Sequence, residues 1–335
     1  MIPQRDLSWQ TQSWQEQLSN AVNSSTELLA KLNLSAEEPN LSEKAAKQFP
    51  VLAPHAFIDR INPEDPNDPL LRQILNVHEE DIAALGFSSD PLEESSSNPV
   101  KGLVRKYKNR ALLIVTGKCA INCRYCFRRE FPYNENNPSR KEWGEALSYI
   151  SNHDEIEEVI LSGGDPLSVS DKHLHWLIEA VSAISSIKRL RIHTRMPIVI
   201  PDRITDDLLS ILEECKLTTI VVLHVNHSNE IDEQVKNCMI RLKAKTDFLL
   251  NQSVLLKGVN DSLDAQLALH NTCVDAGIQP YYLHFLDRVN GTSHFEVPKE
   301  KALALYTQMQ HAMSGYMLPK LVIELPNAQS KQILK

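Results

Sequence analysis

From Ala111 to Phe285 the chain repeats one pattern, and that repetition limits the folds open to it. Short runs rich in β-branched residues alternate with helix-length amphipathic stretches. The runs are ALLIVT from 111, EEVILS from 157, RLRIHT from 189, TTIVVLHV from 218, NQSVLL from 251 and PYYLHF from 280. Between them, segments such as KEWGEALSYISNH and KHLHWLIEAVSAISS suit helices. Crossovers of that length allow parallel pairing, so the pattern predicts α/β architecture with six βα units, a parallel barrel or a partial (βα)6 TIM-like one. Six units are two short of a closed eight-fold barrel. Residues 1–100 have a different texture, rich in Gln, Ser, Asn, Glu and Pro, and read as an N-terminal helical appendage with breaks at AEEPN and INPEDPNDP. SSSNPVKG reads as an exposed loop leading into a core of residues 101–290, and residues 291–335 form a C-terminal segment.

In such folds ligands collect at the carboxyl ends of the strands, and the unusual residues fall there. Cys119, Cys123 and Cys126 follow the first strand, SGGDP the second, TRMP the third, HVNH ends the fourth and DRVNG follows the sixth. The other three of the six cysteines, Cys215, Cys238 and Cys273, are scattered and read as buried thiols. Three clustered thiols in an otherwise cysteine-poor chain point to a metal site in a reducing compartment. A four-iron cluster normally takes four thiolates, so three leave one iron open. The competing reading is a structural zinc completed by a further ligand, but no second Cys-x2-Cys knuckle exists. A net charge of −8 argues against nucleic acid as a partner, no apolar run reaches membrane-spanning length, and the N-terminus lacks a secretory signal. Cytoplasmic location is the expectation.

The cysteine spacing, with LSGGDP after the second strand, resembles the radical S-adenosylmethionine (SAM) superfamily. In that family SAM chelates the open iron of a [4Fe-4S] cluster and is cleaved to a deoxyadenosyl radical, and Gly163, Gly164 and Asp165 match its glycine-rich motif. Glycines there would let the backbone approach a ligand closely. The blocks CRYCFRR, SGGDPL, TRMPIVIPDRIT, NHSNEI, NQSVLLKGVND and PYYLHFLD, in this order, resemble the lysine 2,3-aminomutase family more narrowly. That resemblance implies pyridoxal 5'-phosphate (PLP) beside SAM, and migration of an amino group from carbon 2 to carbon 3 of L-lysine.

Carried over by position, the family implies Arg128 for the substrate carboxylate, a role a guanidinium fork suits. Asp287, and Glu324 where the family commonly has Asp, would take the ε-ammonium. Lys331 falls at the Schiff-base position, with Lys320 and Lys335 as rival lysines. Arg110 and Gln252 match residues near the cofactors, Lys106 is a phosphate candidate, and His224 matches a SAM contact. Instead of a glycine-rich run, this chain has ELPNAQSK before Lys331. Ser262 stands where longer members have a zinc-binding cysteine, and the chain stops four residues past Lys331, so no zinc is expected. Short members of this kind resemble the aminomutase that makes (R)-β-lysine for elongation factor P, which implies a link to that factor and its lysyl ligase, and an electron donor such as flavodoxin or ferredoxin. The alternatives are a 2,3-aminomutase for another amino acid such as glutamate, one serving free-lysine metabolism, or a non-catalytic iron–sulfur sensor or binding module.

Overall fold

The computed structural model describes residues 8–35, 40–133, 139–326 and 328–334. Strand β1 (Leu103–Tyr107) turns back into β2 (Arg110–Thr116), and from β2 onward each strand runs parallel to the one before it. These are β3 (Glu158–Gly163), β4 (Arg189–Thr194), β5 (Thr218–Leu223), β6 (Phe248–Val254), β7 (Gln279–His284) and β8 (Lys320–Ile323). A last short strand, β9 (Gln332–Ile333), pairs antiparallel with β8. Spatial order equals sequence order, β1 to β9, and the sheet does not close.

Six crossover helices join the parallel strands: α1 (Arg140–Ser151), α2 (Asp171–Ser182), α3 (Asp206–Glu214), α4 (Glu233–Lys243), α5 (Leu263–Asp275) and α6 (Lys299–Ala312). Their starts are written locally. Ser139, Thr205, Asp232 and Ser262 each accept a backbone N–H of the first turn, as polar N-caps do. The expected (βα)6 series is therefore present, and β8 adds a seventh parallel strand. Hairpin strands β1 and β9, and α6 with β8, were not foreseen, because β8 spans four residues and has a partner only once β7 is beside it. Strand β6, the fifth of the expected runs, starts at Phe248, three residues before the expected Asn251, since Phe248 is exposed although apolar.

The two faces of the sheet differ. Leu113, Val159, Leu161, Leu190, Ile192 and Leu249 pack against helix residues such as Leu174, Leu208, Val235 and Leu269 in one core. Each buried leucine contributes about 1.5–3 kcal/mol. The alternate residues, including Leu112, Ser162, His193, Gln252 and His284, face a cavity of about 380 Å3. A closed eight-stranded barrel fills its interior with side chains; this open sheet keeps its interior hollow, with charged and apolar side chains sharing the lining.

Residues before β1 form short helices (Trp14–Ser19, Ser25–Lys31, Glu43–Gln48, His55–Ile58) and 3-10 turns. Their Leu28, Phe57, Leu71 and Ile74 belong to the same apolar cluster as the strands. Polar ties reinforce this: Arg124 of the cysteine loop is fully buried and forks onto Glu80, with Nε and Nη2 at 2.9 and 2.6 Å. Arg129 reaches the same carboxylate at 2.7 Å.

Candidate active site

The three cysteines lie in the loop leaving β2 and line the cavity together. Burial pushes the Cys119 thiol well up and the Cys126 thiol to about 11, and neighbouring cysteines push each further, so the sulfurs crowd one another. Metal binding would release those protons. The three thiols come from one loop and line one cavity. A four-iron cube takes its thiolates on separate corners, so the donor set fits a cluster.

The glycines line the cavity and also have a packing job. Gly163 has φ +116°, and a Cβ there would lie 2.6 Å from the Thr116 carbonyl oxygen; one on Gly164 would overlap the Lys118 carbonyl. The backbone filling that space is the cysteine loop itself. Gly164 N–H donates to Thr116 O at 2.7 Å and Asp165 N–H to Lys118 O at 2.8 Å, welding the two loops. The Asp165 carboxylate is saturated: one oxygen accepts from Leu167 N and Thr194 Oγ1, the other from Arg195 N and Met196 N, at 2.7–3.0 Å. A carboxylate offers about four such positions, so Asp165 ties the end of β3 to the turn after β4.

Arg195, in that turn, is 6% exposed. Its Nη1 donates to Cys123 Sγ (2.8 Å) and Tyr125 Oη (3.0 Å), its Nη2 to Gln73 Oε1 (2.7 Å) and Glu230 Oε2 (2.8 Å). His224 stands beside this group. Its Nδ1 lies 3.1 Å from the Gln252 carbonyl, which can only accept, so that nitrogen carries the proton and Nε2 accepts from Tyr125 Oη at 2.8 Å. Burial first, then Arg195, pulls the His224 pKa down to about 4, which keeps the ring neutral.

At the other end, Arg128 is buried with its fork filled by Glu94, at 2.7 Å from Nε and 2.9 Å from Nη2. Lys106 sits 3.6 Å from Glu94 and 3.3 Å from Glu324, and Glu324 is ion-paired with Lys331. Burial would raise the Glu324 pKa, but Lys331 and Lys106 outweigh it and hold the carboxyl at about 2. Asp287 has no ion-pair or hydrogen-bond partner for its carboxylate among the described residues; burial, then the charge of Glu324, lifts its pKa to about 7. Arg110 stacks over the Tyr107 ring at 4.2 Å on the cavity wall. Lys331 lines the cavity, Lys320 is exposed at the start of β8, and Lys335 lies outside the described residues. An amine beside the cationic Lys106 and Arg110 fits PLP, an aldehyde carrying a phosphate.

Comparison with known proteins agrees with this geometry. Residues 113–265 match the model of the Radical SAM superfamily. Over 333 residues, 99% of this chain and 98% of the relative, the sequence is 46% identical to an L-lysine 2,3-aminomutase of Haemophilus influenzae. The chain belongs to the L-lysine 2,3-aminomutase family. An Escherichia coli member with the same name is 48% identical over 96% of this chain and 94% of its own length. A Clostridium subterminale member is 33% identical over 97% and 78%. The aminomutase family is a family of isomerases, and membership of the superfamily implies a four-iron cluster and SAM as cofactors.

Several cavity residues of this aminomutase escaped the sequence. Arg195 lines the cavity inside the block TRMP, where strand-end position was the only available signal, and Glu230, in NHSNEI, is fully buried behind it. His193 and His284 line the cavity with unpartnered Nε2 atoms, and burial holds both rings neutral, His284 at about 3. Glu94 precedes a serine run read as an exposed loop, yet it is buried; nothing in its local sequence marks it.

Proposed function

We propose that this chain isomerises L-α-lysine to (R)-β-lysine with a [4Fe-4S] cluster, SAM and PLP. The observation that carries the reading is the acidic pair in the cavity: Asp287, its pKa lifted to about 7 by burial and by Glu324, lines the same cavity as Glu324 and Arg128. A half-buried carboxylate whose charge is so disfavoured is completed by a cation, and a lysine ε-ammonium is one. Two carboxylates repel a glutamate side chain, which disfavours that alternative.

When bound, the cluster with SAM supplies the hydrogen-abstracting radical, and PLP supplies the carrier for the migrating nitrogen. Cys119, Cys123 and Cys126 would hold the cluster, with Gly163, Gly164, Asp165, His224 and Gln252 shaping the SAM side. Lys331 would hold PLP, with Lys106 and Arg110 toward its phosphate. Arg128 receives the substrate carboxylate in exchange for Glu94, and Asp287 with Glu324 receives the ε-ammonium. Binding both ends of lysine fixes where its carbon 3 lies, and such positioning supplies much of the rate in reactions of this kind.

Further, the product serves elongation factor P and its lysyl ligase, reduction comes from a flavodoxin or ferredoxin, and the enzyme works in the cytoplasm. Among the described residues no helix is long and apolar enough to cross a membrane. The test is anaerobic reconstitution and incubation with labelled L-lysine, SAM and reductant, followed by chiral product analysis. (R)-β-lysine is expected; absence of any β-amino acid overturns the reading. In cells, loss of the protein should leave elongation factor P without the β-lysyl mass.

A further inference from the structure

The buried Arg195–Glu230 pair touches no expected substrate group, yet it ends on a cluster cysteine. Glu230 is 0% exposed and is held by Asn226 N–H (2.9 Å), His227 N–H (3.1 Å) and Gln73 Nε2 (3.1 Å). It in turn fixes Arg195, whose guanidinium also lies over the Phe57 ring at 5.4 Å. Held from two sides, the arginine has one orientation, with Nη1 on Cys123 Sγ. Stability does not explain this arrangement. A buried ion pair is on average no better than apolar packing of the same volume, and this one also draws Gln73, Tyr125 and the backbone at 226 and 227 into a polar network.

We propose that Arg195 and Glu230 are positioning residues that set the reduction potential of the cluster through the Cys123 sulfur. Hydrogen bonds to cluster sulfurs and local net charge are main determinants of such potentials. An N–H donated to the Cys123 thiolate stabilises the reduced, more negative cluster and raises the potential. Glu230 limits the rise by neutralising the guanidinium. The two side chains therefore act with opposite sign: loss of the arginine lowers the potential, and loss of the carboxylate raises it. A merely structural role has no such antisymmetry, since loosening either partner admits water to the same place.

The experiment uses the full-length enzyme reconstituted anaerobically with iron, sulfide and PLP, comparing the wild type with Arg195→Gln, Arg195→Lys and Glu230→Gln. Iron and sulfide content reports loading. A redox titration followed by electron paramagnetic resonance, without substrate, then gives the midpoint independently of turnover. The expected result is a more negative midpoint for Arg195→Gln and a less negative one for Glu230→Gln, each by about a tenfold change in the reduction equilibrium, ~59 mV for one electron. Arg195→Lys, which keeps the charge, should fall between Arg195→Gln and the wild type. Unchanged midpoints, or shifts of the same sign in both directions of substitution, overturn the proposal. If the Arg195 variants fail to load the cluster, Glu230→Gln decides alone: a rise supports the proposal, and no change or a fall overturns it.

Discussion

Asp287 and Lys331 carry the sharpest consequences of single side chains. The folded pKa of Asp287, about 7, lies above its ordinary 3.8, so folding takes up a proton there between about pH 4 and 7. Stability of the empty enzyme should fall as pH rises across that window. In Asp287→Asn this contribution is absent, so thermal melts should show the variant gaining on the wild type from pH 5 to pH 8. Lysine use should run the other way. The ionised form accepts the ε-ammonium, so kcat/KM rises with pH through about 7, and Asp287→Asn should lose that limb with a drop of about 10- to 100-fold. For Lys331, substitution by Ala should abolish the absorbance of lysine-bound PLP while iron content stays unchanged. Lys320→Ala, at an exposed strand start, should keep both. Persistence of the PLP band in Lys331→Ala would move the role to another lysine. These residues were legible as motif positions, but the sequence carried no sign that Glu94 occupies the Arg128 fork, because that contact joins segments 34 residues apart.

Elements explain why the cysteine loop has a shape before any cluster arrives. It is hung on β2, welded to the end of β3 through Gly163, Gly164 and Asp165, and clamped from outside by the turn carrying Glu80. Glu80→Ala would leave two buried guanidinium groups, those of Arg124 and Arg129, without their counter-charge. The expected cost is about 3–5 kcal/mol, read as a lower denaturant midpoint, and cluster loading should fall with it because the loop loses its outer anchor. An unchanged midpoint would show that the clamp is dispensable. The strands and crossover helices were readable because their periodicity is local and six times repeated. The glycine pair was readable as a motif but not in its packing role, since the atoms it makes room for belong to a loop more than 40 residues earlier.

At the scale of the molecule, the sheet opens at β1 and β9, yet its edges meet through side chains. Lys106 of β1 and Tyr107 reach Glu324, just past β8, at 3.3 and 3.4 Å. Charge thus spans the gap that backbone pairing leaves. Lys106→Met should set Glu94 and Glu324 against each other without the cation between them, and hydrogen exchange should speed up in residues 320–334 while β3 to β5 keep their protection. Uniform exchange across the sheet would contradict that picture. The amino-acid sequence by itself determined the alternation of strand and helix, the cysteine triplet and the order of the motif blocks, because each depends on residues near one another in the chain. Only the tertiary structure decided the seventh parallel strand, the burial of Glu94 against Arg128, the raised pKa of Asp287 and the Arg195 contact with Cys123. Those depend on desolvation and on which distant groups share one cavity, and both arise only when the sheet curls far enough to bring its two ends together.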